Sequence, residues 1–275
     1  MKRIGVDLGG TNIRVALVNE QGVERKISSL CPSDADDPEV VLRKIADMIK
    51  ELMTPEAGSI GVGVPSIVDV ERGIVYNTAN IPCWKEVHLK DYLSGCFPGV
   101  RISVNNDANC FAAGEAAYGS AKGFDNVVGI IIGTGTGAGV VIEGRLYNGV
   151  NVCAGEIGYF PYRDSYYEHY TSGEFFASRG IDAREAAALA RNGDKEMLRL
   201  WEEFGGHVGS LVKTTLLAYD PQAIVLGGGM TGASDLFEKA MRESLDDFYY
   251  PKVSSGVKVI FSTTQDVAIL GAAAI

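Results

Sequence analysis

A carboxylate followed by a glycine and threonine turn stands near the start of the chain. Asp7 precedes Gly9, Gly10 and Thr11, and the apolar runs at residues 4–8 and 13–18 flank this turn like two strands. Such a turn exposes backbone N–H groups and a hydroxyl with little side-chain bulk, which suits a phosphate group. Since a lone carboxylate would repel phosphate, we expect it to hold Mg²⁺ directly or through water. The alternative is an aspartate that only caps the turn.

A second turn of the same kind follows 125 residues later. Residues 133–137 read Gly-Thr-Gly-Thr-Gly between apolar runs at 127–132 and 138–142, and the shift pairs Gly10 with Gly135 and Thr11 with Thr136. This internal repeat predicts two strand–turn–strand hairpins, one in each half of the chain, that face each other across a cleft. The alternative is a pair of ordinary glycine hairpins.

Three polar segments carry further candidate groups. Asn105, Asn106 and Asp107 lead into a small-residue helix, Glu156 lies between glycines, and Glu174 precedes two phenylalanines. A helix N-terminus favours negative charge, and there Asp107 could accept a proton from a substrate hydroxyl. Together these side chains could bind the hydroxyls of one sugar. Helix capping and surface exposure are the structural alternatives.

Nucleotide-binding motifs narrow the possible classes of enzyme. No G-x-x-x-x-G-K-[ST] motif occurs, which excludes a P-loop enzyme. Residues 227–232 match G-x-G-x-x-G after a predicted strand, but too little chain follows for a dinucleotide-binding half. We therefore interpret these glycines as part of a nucleoside pocket, with a hydride-transfer enzyme as the alternative.

The elements that must position these groups alternate between strand and helix. Asp37 and Pro38 begin a helix as N-cap and first residue. Further helices are predicted at 108–118, 183–190, 195–219, 235–248 and 267–274, and further strands at 60–64, 102–105, 223–226 and 257–261. This order predicts an α/β fold.

Composition and charge limit the possible partners and the cellular compartment of the protein. The 275 residues carry a net charge of −10, which disfavours nucleic acid as a partner, and the five cysteines form no C-x-x-C pair. No apolar run is long enough to span a membrane. We therefore expect a soluble cytoplasmic protein without a membrane or nucleic-acid partner.

The combined motifs resemble the ROK family of repressors, open reading frames and sugar kinases. The matching segments are 4–18, 61–65, 78–84, 105–119, 133–139, 154–158, 224–229 and 265–273. The resemblance implies a two-domain actin-like ATPase fold, a duplicated ribonuclease H-like fold with the active site in the interdomain cleft. We expect a smaller domain at residues 1–118, a larger one at 119–264, and a terminal helix at 265–275 that returns to the smaller domain.

The resemblance also implies roles for individual residues. Asp107 is the general base on the sugar hydroxyl, and Asp7 holds Mg²⁺. The expected sugar-binding residues are Ser66, Thr78, Asn80, Asn106, Asp107, Glu156, Tyr159 and Glu174. The expected ATP-binding residues are Asp7, Gly9, Gly10, Thr11, Asn12, Gly133, Thr134, Gly135, Thr136, Gly228 and Gly229.

The sequence departs from the family in one segment. Many members have a histidine after E-I-G and then three cysteines, which together bind a structural zinc. Here Tyr159 replaces the histidine, the cysteines are absent, and the segment up to Glu174 is shortened and rich in tyrosine. We therefore expect no zinc.

These observations lead to one prediction of function. It is an ATP-dependent hexokinase that transfers the γ-phosphoryl of MgATP to a hexose, at the 6-hydroxyl of glucose, and that works as a homodimer. Kinases of fructose, N-acetylmannosamine or N-acetylglucosamine remain alternatives, as does a non-catalytic sugar sensor. A repressor is disfavoured because the first strand begins near residue 3, which leaves no DNA-binding module before it.

Overall fold

The fold is built on two five-stranded sheets. A computed structural model describes residues 2–275. Strands up to residue 123 are β1 (Lys2–Leu8), β2 (Asn12–Asn19), β3 (Gly22–Leu30), β4 (Ala57–Val64), β5 (Ile67–Asp69), β6 (Ile74–Tyr76), β7 (Glu86–His88) and β8 (Arg101–Asn106). Later strands are β9 (Val127–Ile132), β10 (Thr136–Ile142), β11 (Arg145–Leu146), β12 (Pro161–Tyr162), β13 (Ser165–Tyr166), β14 (Ala223–Gly227) and β15 (Lys258–Phe261).

Helices connect and cover these strands. They are α1 (Pro38–Leu52), α2 (Leu89–Cys96), α3 (Asp107–Ala117), α4 (Tyr167–Thr171), α5 (Glu174–Ala177), α6 (Ala183–Arg191), α7 (Lys195–Tyr219), α8 (Ser234–Glu243), α9 (Pro251–Gly256) and α10 (Val267–Ala274). Short 3₁₀ turns span Ile157–Tyr159 and Gly229–Ala233. Of the helices formed by residues 2–275, none has the length and apolar character needed to cross a bilayer.

The two large sheets share one strand order. The first is ordered β3-β2-β1-β4-β8 and the second β11-β10-β9-β14-β15, so in each sheet the strand before the glycine and threonine turn is central. β1 pairs with β4 and β4 with β8 in parallel, and β14 pairs with both β9 and β15 in parallel. The repeat seen in the sequence is therefore a repeat of topology.

The chain divides into two compact units. The first comprises residues 1–123, 139–154 and 263–275, and the second comprises residues 124–138 and 155–262. In the first unit, the apolar face of α1 packs into the core through residues such as Ile45 and Ile49. Asp37 caps α1 by accepting the Glu39 N–H at 2.9 Å, which confirms the predicted cap.

The last helix, α10, packs against β1 and β4 at very short range. A Cβ added at Gly5 would lie 2.2 Å from the Ile269 carbonyl oxygen, and one at Gly61 would lie 1.7 Å from that of Ala272. Only glycine leaves room for this approach. Two strand glycines thus let α10 contact the sheet directly.

The second unit is organised around the 25-residue helix α7. Its buried Trp201 and Phe204 contact the rings of Phe176 and Phe237, so that α7, α5 and α8 share one aromatic core. Asp194 caps this helix through the N–H groups of Glu196 and Met197.

Several details differ from the sequence-based predictions. α8 ends at Glu243 rather than near residue 248, because the N–H groups of Leu245, Asp246 and Phe248 bond three residues back and not four. β3 was not predicted, since its central residues alternate weakly and are mostly charged. The small sheet β5-β6-β7 was also missed, because each of its strands has only three residues.

Candidate functional site

The candidate residues of the first unit gather at the carboxyl ends of its parallel strands. In the strand register Asp7 pairs with Gly63, and Gly63 pairs with Asn105. Asp107 begins α3 directly after β8 ends. Two carboxylates thus stand at the ends of β1 and β8, with a glycine of β4 between them. Strand ends of this kind are where open α/β sheets bind ligands.

Asp7 is a buried carboxylate whose negative charge is only partly compensated. It is 6% exposed, and Arg14 Nη2 lies 2.5 Å from its Oδ2 in an ion pair. Apart from this ion pair, Oδ2 has no hydrogen-bond partner among the described residues. Burial raises the pKa of Asp7 above its usual value, and Arg14 opposes this only in part. A buried carboxylate oxygen in this state suits a cation.

The N-terminus of α3 is capped by Asn106, not by Asp107. Asn106 Oδ1 accepts the N–H groups of Ala108 at 2.8 Å and Asn109 at 3.3 Å. The Asn106 Nδ2 group donates to the Ser66 carbonyl oxygen at 3.3 Å, which brings Ser66 to this helix end. Asp107 Oδ1 also accepts the Ala108 N–H at 2.8 Å. The cap therefore orients α3 without depending on Asp107.

A network of asparagine side chains supports the N-terminus of α3. Asn148 Oδ1 accepts from Asn105 Nδ2 at 2.9 Å and from Asn109 Nδ2 at 3.3 Å. Asn105 Oδ1 accepts from Asn109 Nδ2 at 2.9 Å. These amides fix the end of β8 and the first turn of α3 to each other.

The first glycine turn packs on a predicted sugar-binding residue. A Cβ at Gly10 would lie 2.3 Å from Cβ of Asn80, so Gly10 permits this close contact. Thr11 and Asn12 are exposed at the same turn, and Gly9 N–H closes it by donating to the Asn12 carbonyl oxygen at 2.9 Å. Thr78 is buried, and its hydroxyl has no hydrogen-bond partner among the described residues.

The second glycine turn, in the second unit, holds a carboxylate that the sequence analysis missed. Glu168 Oε2 accepts the Thr136 N–H at 2.8 Å, and a Cβ at Gly135 would lie 2.5 Å from the same oxygen. Gly173 N–H donates to the Gly133 carbonyl oxygen at 2.8 Å. The segment 168–173 is thus bound directly to this turn, beside the exposed Thr134.

The charge of Glu168 acts on Glu156 and Tyr159. Burial and then the charge of Glu168 raise the pKa of Glu156, while Glu168 is the first cause of the raised pKa of Tyr159. Tyr159 is 60% exposed and its ring lies 5.5 Å from that of Tyr166. Glu174 instead pairs with His169 Nδ1 at 3.1 Å. The geometry agrees with this influence on Glu156, since a Cβ added at Gly158, two residues after Glu156, would lie 3.6 Å from Cβ of Glu168.

The glycine run after β14 opens beside a cavity. Gly228 has φ of +92°, and a Cβ there would lie 2.4 Å from the Ile132 carbonyl oxygen, so this position requires glycine. The cavity has a volume of about 240 Å³, and its lining includes Gly229, Met230, Ala187 and Trp201. Backbone and apolar side chains bound most of the pocket, and Arg184 and Arg191 complete its lining. Such a pocket suits a flat heterocycle.

Comparison with known proteins gives a consistent result. Residues 3–275 match the sequence model of the ROK family. A glucokinase of Thermotoga maritima is 30% identical over 311 aligned positions, covering 100% of this chain and 97% of that protein. An N-acetyl-D-glucosamine kinase of Yersinia enterocolitica is 27% identical, covering 86% of each chain. The crystal structure of a ROK hexokinase from Thermus thermophilus superposes with a TM-score of 0.84 at 25% identity, covering 100% and 97% of the two chains.

These matches confirm the resemblance predicted from the motifs. The actin-like α/β fold accounts for two sheets of the same strand order, each with a glycine and threonine turn after its central strand. The chain belongs to the ROK family.

Proposed function

We propose that this protein is an ATP-dependent sugar kinase that transfers the γ-phosphoryl group to a hexose, at the 6-hydroxyl of glucose. The observation that carries the proposal is the pair Asp7 and Asp107 at the ends of β1 and β8. With β4 between them, these strand ends are about 10 Å apart. That spacing leaves room for a metal-bound phosphoryl group and the attacking hydroxyl between the two carboxylates.

Asp107 is the proposed general base. Its carboxylate takes the proton of the sugar hydroxyl while that oxygen attacks the γ-phosphorus, and the bond to the β-phosphate oxygen breaks. Asn106 holds the helix end in place through its cap and its bond to the Ser66 carbonyl. Phosphoryl transfer depends mainly on such positioning, since the protein forms no covalent intermediate.

Several side chains are proposed partners for sugar hydroxyls. In the first unit they are Asn106 and Asn80, with Ser66 and Thr78 as further candidates. In the second unit they are Glu156, Tyr159 and Glu174, to which we add Glu168 because its carboxylate reaches the second glycine turn. Ionised carboxylates accept hydrogen bonds from hydroxyls strongly, and two neighbouring ones match adjacent hydroxyls of a sugar ring.

The glycine turns are proposed to hold the phosphates. Gly10 and Thr11 in the first unit and Thr134 and Gly135 in the second supply N–H groups and hydroxyls. The N–H groups of Gly9 and Gly133 bond within the turns, and these two glycines instead leave space for the phosphates. Asp7 fits a Mg²⁺ ion, because its carboxylate is buried and the Arg14 guanidinium compensates its charge only in part. When bound, Mg²⁺ neutralises charge on the phosphate oxygens. The cavity beside Gly229 is the proposed adenine site.

An N-acetylhexosamine is the second candidate substrate. Tyr159 stands where many family members have a histidine, and the N-acetyl-D-glucosamine kinase of Yersinia enterocolitica is a relative of comparable identity. The substitution changes the groups that meet one edge of the sugar. The choice between these substrates is therefore a question for assay.

The test is a coupled ADP-release assay with the purified protein. Glucose, mannose, fructose, glucosamine and the N-acetylhexosamines are compared at equal concentrations, with Asp107→Asn as the inactive control. We expect glucose to give the highest kcat/KM. Sugar binding without any ADP release would support the non-catalytic sensor instead, and the highest kcat/KM with an N-acetylhexosamine would support the second candidate.

A further inference from the structure

A group of aromatic side chains fixes the tyrosine-rich segment to α7. We call Tyr162, Tyr167, Tyr170 and His207 the tyrosine–histidine cluster. The Tyr162 and Tyr167 rings stack with centroids 4.2 Å apart, and Tyr170 meets Tyr162 edge-on at 5.3 Å. His207, which is 2% exposed on α7, lies 5.7 Å from the Tyr162 ring and 5.0 Å from the Tyr170 ring. The contacts come from two elements of the segment, β12 and α4, and converge on one face of α7.

Two tyrosine hydroxyls anchor the segment by hydrogen bonds. Tyr162 Oη lies 3.1 Å from His207 Nδ1. The other ring nitrogen of His207, Nε2, has no hydrogen-bond partner among the described residues but faces Glu203 Oε1 at 3.5 Å. This carboxylate favours a proton on Nε2, which leaves Nδ1 as the acceptor. Tyr167 Oη lies 3.1 Å from Ser210 Oγ and 2.6 Å from Thr214 Oγ1, which are one and two turns after His207 on α7.

The anchored segment has little stability of its own. β12 and β13 have two residues each, and α4 has five. Such short elements do not persist without tertiary contacts. Their position is therefore set by the contacts with α7 on one side and with the second glycine turn on the other.

Glu168 is the functional group that this segment carries. It follows Tyr167 directly, and its carboxylate accepts the Thr136 N–H at 2.8 Å. Its Cβ would lie 3.6 Å from a Cβ added at Gly158, between Glu156 and Tyr159 in the chain, and its charge raises the pKa of both residues. A displacement of α4 would move this carboxylate relative to Glu156, since Glu156 lies outside the anchored segment.

We propose that Tyr162 and His207 are positioning residues for sugar binding, which hold α4 so that Glu168 faces the sugar together with Glu156. The inference rests on the proposed function for the identity of the ligand. The anchoring itself is a property of the second unit alone and can be measured without sugar.

The kinetic experiment compares Tyr162→Phe with Tyr249→Phe. The first change removes one hydroxyl and keeps the ring, and the second makes the same change at a tyrosine that is 82% exposed. For Tyr162→Phe we expect KM for glucose to rise about fivefold to tenfold, with kcat and KM for ATP within twofold of the wild type. Tyr249→Phe should match the wild type in all three constants.

A second variant and a proteolysis readout complete the test. His207→Ala should raise KM for glucose. His207→Asn keeps an acceptor near Nδ1, so most of that rise should be absent in this variant. Arg163 lies in the turn between β12 and β13, with φ of +54°, so trypsin should cut there at least fivefold faster in Tyr162→Phe than in Tyr249→Phe.

The outcomes separate the two proposals. Equal trypsin rates in the two phenylalanine variants overturn the anchoring, whatever the activity. Faster cleavage with an unchanged glucose KM overturns the positioning role, as does an equal rise of both KM values. Absence of kinase activity in the wild type overturns the proposed function, while the trypsin result still decides the anchoring.

Discussion

Replacement of Asp107 by asparagine separates proton abstraction from helix capping. Asn106 Oδ1 already accepts the Ala108 N–H at 2.8 Å, and Asp107 Oδ1 accepts the same N–H at 2.8 Å. Asparagine keeps a carbonyl oxygen for that bond, so the free energy of unfolding should change by less than about 1 kcal/mol. An amide cannot take up the hydroxyl proton, and a positioned base contributes about 10²–10⁴ in rate. We therefore expect kcat to fall at least a hundredfold, about 3 kcal/mol of barrier or more.

The matched control is Asp37→Asn. Asp37 caps α1 by accepting the Glu39 N–H, so the same chemical change is made at a helix start without a proposed catalytic role. ADP release gives kcat, calorimetric titration gives the affinities for glucose and ATP, and thermal melting gives Tm. In Asp107→Asn both affinities should stay within a few-fold of the wild type, and Tm within a few degrees. A kcat within threefold of the wild type, with both ligands bound, would refute the assignment of the base.

Four further predictions concern charge, space and metal. Asp7→Asn should raise Tm, because it removes a buried charge that Arg14 compensates only in part, while Mg²⁺-dependent turnover falls at least a hundredfold. Gly133→Ala should raise KM for ATP about tenfold without changing Tm, since a Cβ there has no heavy atom closer than 4.0 Å in the folded chain and would face bound phosphate. The lowered pKa of His207, caused first by burial and then by Arg163, means that the unfolded chain takes up the proton first. Stability should thus fall as the pH drops below about 6.5, and chemical denaturation of His207→Asn should show a smaller fall. Metal analysis should find well under one zinc per chain, and a zinc chelator should leave Tm unchanged; one tightly bound zinc would contradict this.

The structure changes how the glycine turns should be tested. Valine at Gly10 or Gly135 is the obvious way to block a phosphate site. However, a Cβ at Gly10 meets Asn80, and one at Gly135 meets the Glu168 carboxylate. Both variants would disturb proposed sugar contacts together with the phosphate site. Gly133 avoids this conflict and is the better position.

Elements with strong local signals were predictable from the sequence. The α1 helix combines a capping aspartate, proline at its first residue and a regular apolar stripe, and its start matches the prediction. The bounds of α7 and α10 also match, since both have long or strongly apolar patterns. β3 lacks such a pattern because it pairs on one side only and exposes charged residues.

The candidate site was predictable only in part, for a geometric reason. Asp7 lies near the end of β1 and Asp107 comes directly after β8, so regular elements set their positions. Glu168 and Glu174 lie six residues apart in α4 and α5, helices of five and four residues. No periodicity fixes the direction of such short elements, and the family pattern was carried over to Glu174. The position of Glu168 depends on contacts of α4 with Thr136 and with α7, which are distant in sequence.

The direction of the pKa shifts separates two kinds of carboxylate in this chain. Asp235 and Asp247 lie at the surface beside Arg191 and Lys213, and these partners lower their pKa values. Asp7 and Glu156 lie in partly or fully buried positions where desolvation raises the pKa. An asparagine or glutamine would be more stable there, because a neutral amide carries a smaller desolvation cost. A charge kept at such a cost indicates a ligand that compensates it. The proposed cation at Asp7 and the proposed sugar hydroxyls at Glu156 would supply that compensation, so binding of Mg²⁺ and of sugar should each raise the Tm of the protein.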